Sequence, residues 1–81
     1  MSTEHDVEIF VNTKPYEEPK GKISYDRLVE IAYPDFAKFP NATYSIIYEH
    51  GKGNEEGTLD KGESVEIVKG MSFRVKRTGE S

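Results

Sequence analysis

The chain has 81 residues, which is enough for one domain with a single modest core and too few for a deeply enclosed active site. It contains no cysteine, so disulfides, thiolate metal sites and cysteine nucleophiles are excluded, and a cytoplasmic location is favoured. The formal net charge of −4 argues against general nucleic-acid binding, and no apolar run approaches the roughly 18 to 20 residues of a membrane span, so we expect neither nucleic acid nor a membrane as a partner.

The first predicted element is a strand over residues 7–11. Apolar and polar side chains alternate there, with Val7, Ile9 and Val11 on one face, which is the period-two pattern of a half-buried strand. A polar turn follows, and residues 16–22 are predicted to return as a second strand. Because proline cannot donate into a ladder, Pro19 indicates that this second strand lies at a sheet edge.

The next segment changes to the period of a helix. Ser24 is a good N-cap, and Tyr25, Leu28, Ile31 and Ala32 recur at the three-to-four spacing of an apolar helix face. Pro34 is expected to end this helix, because it disfavours helical geometry in the residue before it. Two phenylalanines in the following loop, Phe36 and Phe39, are predicted to cover one end of the core.

The remaining elements are strands. Residues 43–49 alternate, with Tyr44, Ile46 and Tyr48 on one face; residues 58–60 form a short candidate strand. Residues 64–68 and 71–75 follow, with Val65, Ile67, Met71, Phe73 and Val75 facing inward. Lys69 and Gly70 lie where a tight turn would make these last two strands a hairpin.

This order predicts an α+β domain, β-β-α-β-β-β, in which one helix packs on a mixed sheet and the other sheet face meets water. We expect the folded domain to span residues 7–76, between a polar, acidic and disordered segment, 1–6, and a flexible C-terminal tail, 77–81.

Several runs within this order are distinctive: VNTKPYE at 11–17, ISYDRLVEIAYPD at 23–35, YSIIYEHGKG at 44–53, GTLDKGESV at 57–65 and VKGMSFRV at 68–75. With these runs the chain resembles the bacterial ubiquitin-like proteins of the multiubiquitin type over nearly its whole length. The resemblance implies a ubiquitin-like β-grasp fold.

The resemblance also implies a function, that of a protein modifier. In such modifiers an E1-like activating enzyme adenylates the carboxylate of a C-terminal glycine, an E2-like enzyme transfers the activated modifier to a target amine, and a metal-dependent peptidase removes the modifier. The resemblance also implies that these partners are encoded in a bacterial anti-phage operon. Carried onto this chain, the attachment point is Gly79, and Thr78, Arg77 and Lys76 form the segment that enzymes grip. Glycine suits that position because it can thread a narrow channel.

The tail departs from ubiquitin, which ends in paired glycines, because Gly79 is followed by Glu80 and Ser81. Three interpretations stay open. A peptidase removes the last two residues, or the carboxylate used is that of Ser81, or the chain is one unit of a longer tandem protein.

Strand phase predicts a second site on the sheet face opposite the helix. Phe10 and Ile47 point away from the core side, and Ser72 and Arg74 join them if the first, third and last strands are neighbours. An exposed aromatic beside an exposed isoleucine is typical of a docking face.

Catalysis and metal binding find little support. His5 and His50 lack a second ligand at helical or turn spacing, no serine has a histidine base in a recognisable arrangement, and adjacent glutamates on strands point to opposite faces. We therefore expect no enzyme, no metal and no cofactor. Two rival functions remain: a non-covalent interaction module, and a small sulfur carrier with a C-terminal thiocarboxylate.

Overall fold

The computed structural model describes residues 6–79. Its strands and its α-helix, in chain order, are β1 Asp6–Val11, β2 Lys14–Pro19, β3 Lys22–Ser24, α1 Tyr25–Ala32, β4 Thr43–Glu49, β5 Gly57–Leu59, β6 Ser64–Glu66 and β7 Ser72–Gly79. Single turns of 3-10 helix lie at Phe36–Lys38 and Lys52–Asn54. Within these described residues, no helix is long and apolar enough to cross a membrane.

Five strands form one mixed sheet in the order β2-β1-β7-β4-β5, and β3 and β6 form a separate antiparallel pair. Strand β7 runs parallel to β1 and antiparallel to β4, so the last strand of the chain lies at the centre of the sheet. This arrangement, a hairpin, one helix across the sheet and a parallel return between β1 and β4, confirms the predicted ubiquitin-like β-grasp fold.

The predicted hairpin of the last two strands is wrong. Strand β6 pairs with β3, whereas β7 enters the sheet beside β1. The turn at Lys69 and Gly70 brings the chain alongside β1. Gly70 N–H donates to Glu8 O (2.8 Å), and Phe10 N–H donates to Met71 O (2.9 Å). Period-two patterning predicts that a segment is a strand but does not identify its partner.

Helix α1 begins as predicted, with the Ser24 hydroxyl accepting from Arg27 N–H (3.1 Å). Its buried residues are Tyr25, Leu28 and Val29, while the predicted Ile31 and Ala32 are only partly buried. The helix therefore lies rotated toward Val29 relative to the predicted face.

A charged pair ties the helix to β2. Arg27 reaches Glu18 with two parallel hydrogen bonds, Nε to Oε1 (3.0 Å) and Nη2 to Oε2 (2.9 Å), and Glu18 is buried. Hydrogen bonding to Glu18, and then to Glu30, raises the pKa of Arg27, so its guanidinium stays charged.

The core lies between α1 and the helix-facing side of the sheet. Its buried residues come from the helix, from strands of both sheets and from the segment between β6 and β7: Ile9, Val11, Ile23, Tyr25, Leu28, Val29, Ile46, Leu59, Ile67, Met71, Phe73 and Val75. The alternation predicted for β1, β4 and β7 is confirmed, since every fully buried position on these strands is an inward one. On β7 the fully buried positions end at Val75, which is 2% exposed.

Strand β2 lies at the sheet edge, as Pro19 indicated. In a two-residue hairpin the closing pair, Val11 and Lys14, is hydrogen-bonded, and bonded pairs then alternate along the ladder. The backbones of Pro15, Glu17 and Pro19 therefore face away from β1. Since proline has no N–H, this edge offers few hydrogen-bond donors to an additional strand.

The hairpin turn holds two adjacent non-glycine residues with positive φ. Asn12 and Thr13 have φ of 53° and 73°, which is the left-handed geometry of a type I′ turn. The Asn12 amide then extends the ladder beyond the end of β1: its Nδ2 donates to Val75 O (3.1 Å) and its Oδ1 accepts from Val75 N–H (2.9 Å). The Asn12 side chain thus supplies the hydrogen bonds to Val75 that the backbone of β1, which turns away here, cannot make.

Asp6 belongs to β1, so the domain begins one residue earlier than predicted. The expected disorder of residues 1–5 and 80–81 concerns residues outside the described part of the chain.

We expect Thr13→Gly to stabilise the protein by about 1 kcal/mol, because a β-branched residue is strained at positive φ and glycine is not. Urea unfolding followed by circular dichroism will measure this as a higher midpoint at unchanged slope. A lower midpoint would contradict the strained-turn interpretation.

The same substitution one residue earlier should have the opposite sign. Asn12→Gly keeps the backbone geometry but removes both side-chain bonds to Val75, and we expect a loss of about 2 kcal/mol in the free energy of unfolding. Thr13→Gly is its matched control in the same urea titration. Equal effects of the two variants would show that the Asn12 amide contributes nothing.

Candidate functional site

Residues 77–79, predicted to be a free tail, belong to β7. Arg77 pairs with Tyr44 and Gly79 pairs with Thr43 on β4, and Thr78 lies in the register shift between these pairs. The Thr43 and Thr78 hydroxyls are hydrogen-bonded at 2.9 Å. Strand β7 therefore continues three residues past the predicted boundary at residue 76, because β4 extends far enough to pair with the chain through Gly79. The tail residues 80 and 81 lie outside the described part.

The Arg77 side chain lies in a cage of aromatic rings. Its guanidinium carbon lies 4.6 Å from the ring centre of Tyr33, 4.3 Å from that of Phe39 and 5.5 Å from that of Tyr44. The Tyr33 and Tyr44 rings themselves are 5.4 Å apart. The faces of these rings attract a cation, and a planar guanidinium stacks on them well.

Polar contacts complete the cage. Arg77 Nη2 lies 3.0 Å from Asp35 Oδ1, and Nε and Nη2 donate to the Tyr44 hydroxyl at 3.4 and 3.3 Å. The backbone N–H of Arg77 donates to the Tyr33 hydroxyl at 3.1 Å. Hydrogen bonding to Tyr44, and then to Asp35, raises the pKa of Arg77, so the guanidinium is always charged here.

The basic residues of the strand therefore differ in their surroundings. The Arg77 side chain is only 17% exposed and already has partners, whereas Arg74 and Lys76 are exposed on the opposite sheet face. The sequence analysis placed Arg77 in the flexible tail, in the segment that enzymes grip. Its partners lie more than 30 positions earlier in the chain, and no local spacing signals them.

Gly79 has a structural role as well as the predicted functional one. A Cβ at this position would lie 3.2 Å from Thr43 Oγ1, which is tighter than ordinary van der Waals contact. The close approach of β4 therefore favours glycine at the last described position of β7.

The structure brings the four residues of the predicted docking face together. Phe10 lies beside Ser72 across β1 and β7, and Ile47 lies opposite Arg74 across β4 and β7, all on the face away from α1. Ile47 is 40% exposed, Arg74 is exposed, and Phe10 and Ser72 are half-buried. Strand phase predicted this grouping, and the docking role stays a prediction.

A groove that sequence reasoning missed runs between α1 and the loop before β4. It has a volume of 580 Å³, and its apolar lining includes Tyr25, Val29, Phe36, Phe39 and Tyr44. Phe36 is 38% exposed and does not cover the core as predicted, and Phe39 packs on Arg77 instead. The feature of the sequence that could have indicated this groove is the pair of phenylalanines in a proline-containing loop.

The architecture and its terminal strand define the class of protein: a ubiquitin-like β-grasp domain. The family model described as Multiubiquitin matches residues 7–79, and the chain belongs to this family. The match covers β7 through Gly79. Comparison with the curated proteins found no match, and neither did comparison with the solved structures.

The cage can be tested by its effect on Arg77 itself. We expect the Arg77 side-chain protons to be shifted upfield in the NMR spectrum, since the guanidinium lies over ring faces, while those of exposed Arg74 stay near random-coil positions. Phe39→Leu should remove part of the Arg77 shift and leave Arg74 unchanged. Indistinguishable shifts for the two arginines would show that the cage is open in solution.

Proposed function

We propose that this domain is a ubiquitin-like protein modifier, joined through its C-terminal end to amines on target proteins. The observation that carries the proposal is the membership in the Multiubiquitin family over residues 7–79, a range that ends at the glycine expected to be the attachment point. In this function the domain is the substrate of enzymes and not itself a catalyst.

The proposed chemistry requires a carboxylate at the end of the tail. A metal-dependent peptidase hydrolyses the bond between Gly79 and Glu80, unless the Ser81 carboxylate is used directly or the unit belongs to a longer tandem protein. An E1-like enzyme then joins the carboxylate to the α-phosphate of ATP, releasing pyrophosphate. An enzyme thiol displaces AMP to form a thioester, and after transfer to an E2-like enzyme a target amine displaces that thiol to form an amide.

The sheet face supplies the second part of the proposal, a docking surface for these enzymes. Phe10 on β1 and Ile47 on β4 offer apolar contact on either side of β7. Between them, Arg74 and Ser72 on β7 supply a charge and a hydroxyl. The surface shares β7 with Gly79, so a partner docked on it lies along the strand that leads to the attachment point.

The proposed setting is the cytoplasm, where ATP is available to the activating enzyme, and a bacterial operon for defence against phage. This setting rests on the family resemblance. The absence of cysteine is compatible with it.

Mass spectrometry of conjugates tests the proposal. Trypsin cuts after Arg77, so conjugates recovered from the native host should carry a short remnant on target lysines. A Thr-Gly remnant means a tail processed to Gly79, and Thr-Gly-Glu-Ser means a tail used as it stands. Intact protein with no remnant on any lysine would contradict the modifier function and favour a non-covalent module. A terminal sulfur-for-oxygen exchange would indicate a sulfur carrier.

Gly79→Ala should abolish conjugation, but the added methyl also crowds Thr43. Thr43→Ala supplies the control, because it makes room for that methyl. We expect Thr43→Ala alone to conjugate normally, and the Thr43→Ala/Gly79→Ala double variant to melt like Thr43→Ala yet form no conjugates. Conjugation by the double variant would show that position 79 does not require glycine, which contradicts this prediction.

A further inference from the structure

The end of β7 is held by contacts that differ in kind from those along the rest of the strand. Through Val75 the strand is buried: Phe73 and Val75 are 1% and 2% exposed, and both backbone groups of Val75 bond the Asn12 amide. From residue 77 onward the contacts are polar or cation–π and lie outside the buried core. The change falls at Lys76, whose side chain is exposed.

An enzyme cannot surround this end while it is docked, although Thr78 is exposed and Gly79 is half-buried. Gly79 lies beside Thr43 on β4, and the Arg77 side chain is enclosed by three rings and Asp35. An enzyme that acts on the carboxylate of residue 79, or on the bond after it, must surround the chain there with its own atoms. Both sides of the strand cannot be occupied at once by β4 and by an enzyme channel.

We propose that residues 77–79 form a latch, which must detach from β4 and from the Arg77 cage before the tail can be processed or activated. This inference rests on the proposed function. The docked state is the resting state of the domain, and the detached state is the one that activating and processing enzymes bind.

Detachment is local because the latch contains no core residue. Lifting Arg77, Thr78 and Gly79 leaves Val75 bonded to Asn12 and the core closed. The chain then turns at Lys76, and Arg77 joins Lys76 and Arg74 as a third accessible cation close to the attachment point. Arg77, which the sequence analysis placed in the flexible tail, thus becomes available only when the latch opens.

A removable covalent bond can hold the latch shut. Thr43 Oγ1 and Thr78 Oγ1 are 2.9 Å apart, so sulfur atoms at these positions need to approach by less than about 1 Å to form a disulfide. The chain has no other cysteine, so the Thr43→Cys/Thr78→Cys variant can form only this bond within one molecule. Oxidised glutathione closes it and dithiothreitol opens it.

Opening is first measured without any cognate enzyme, as the initial rate at which trypsin cuts the native full-length protein after Arg77. Trypsin must take the side chain that the cage holds, so its rate follows the population of the detached state. We expect the oxidised variant, analysed by mass after reduction, to be cut at least tenfold more slowly than the reduced one. Equal rates would overturn the latch.

Substitutions in the cage should have the opposite effect without changing the tail. Tyr44→Phe removes the hydroxyl that accepts from Arg77, and Tyr33→Phe removes the acceptor of its backbone N–H. We expect each to raise the cleavage rate about fivefold, the loss of one hydrogen bond. Tyr48→Phe is the matched control, because Tyr48 lies on β4 against Phe73 and should leave the rate unchanged. A wild-type rate in both cage variants would overturn the role of the cage.

The requirement that the latch opens before conjugation is then tested. Purified protein is added to a lysate of the native host with ATP, and conjugates are detected by blotting. The oxidised variant should form none and the reduced variant should match the wild type. Equal conjugation by both forms would show that latch opening is not required, and the modifier function would stand. If the wild type itself forms no conjugates although the trypsin rates follow the expected pattern, both the proposed function and the requirement for latch opening fail. The trypsin rates would still establish that the end of the strand is docked.

Discussion

The fold depends on one strand. β7 lies between β1 and β4, and within the described residues these two strands have no other connection in the sheet. Its inward side chains, Phe73 and Val75, are among the most buried in the domain. The proposed function places the attachment point at the end of this same strand. The structure and the proposed function therefore place opposite demands on β7: its body must not move, and its end must be reachable.

Side chains reconcile these demands by replacing backbone partners where β1 ends. Along one side of β7, Phe73 O accepts from the backbone of Asn12 (2.9 Å), Val75 is bonded by the side-chain amide of Asn12, and Arg77 N–H is accepted by the hydroxyl of Tyr33. The partners thus change from backbone to side-chain amide to phenol as the strand leaves the core. Because a phenol on a helix end can be exchanged without altering any strand, the strength of this last contact can vary independently of the fold.

Local patterning predicted much of this architecture. The alternation at Val7–Val11 and at Thr43–Glu49 identified the strands and their inward faces, and the hydroxyl of Ser24 marked the start of the helix. The same alternation grouped Phe10, Ile47, Ser72 and Arg74 on one face, since strand phase alone decides the face once neighbouring strands are known. These features depend on residues close together in the chain.

Features that depend on distant residues were missed. Patterning did not show that Ser64–Glu66 pairs with Lys22–Ser24, because a short strand has the same signature whichever partner it takes. Nor could it show that Arg77 is enclosed, since its rings come from the helix end, a loop and β4. A basic residue before a glycine suggests a mobile tail by composition alone, and only the assembled fold supplies the aromatic partners.

The central position of the last strand also governs how the domain forms during translation. The hairpin of β1 and β2 can form early, but Ile9, Val11 and Ile46 gain their common neighbours, Phe73 and Val75, only when the final tenth or so of the domain has left the ribosome. Until then an incomplete sheet exposes apolar side chains along two unpaired strand edges. The nascent chain is thus most prone to aggregation just before its last strand leaves the ribosome, and molecular chaperones have the most to protect at that moment.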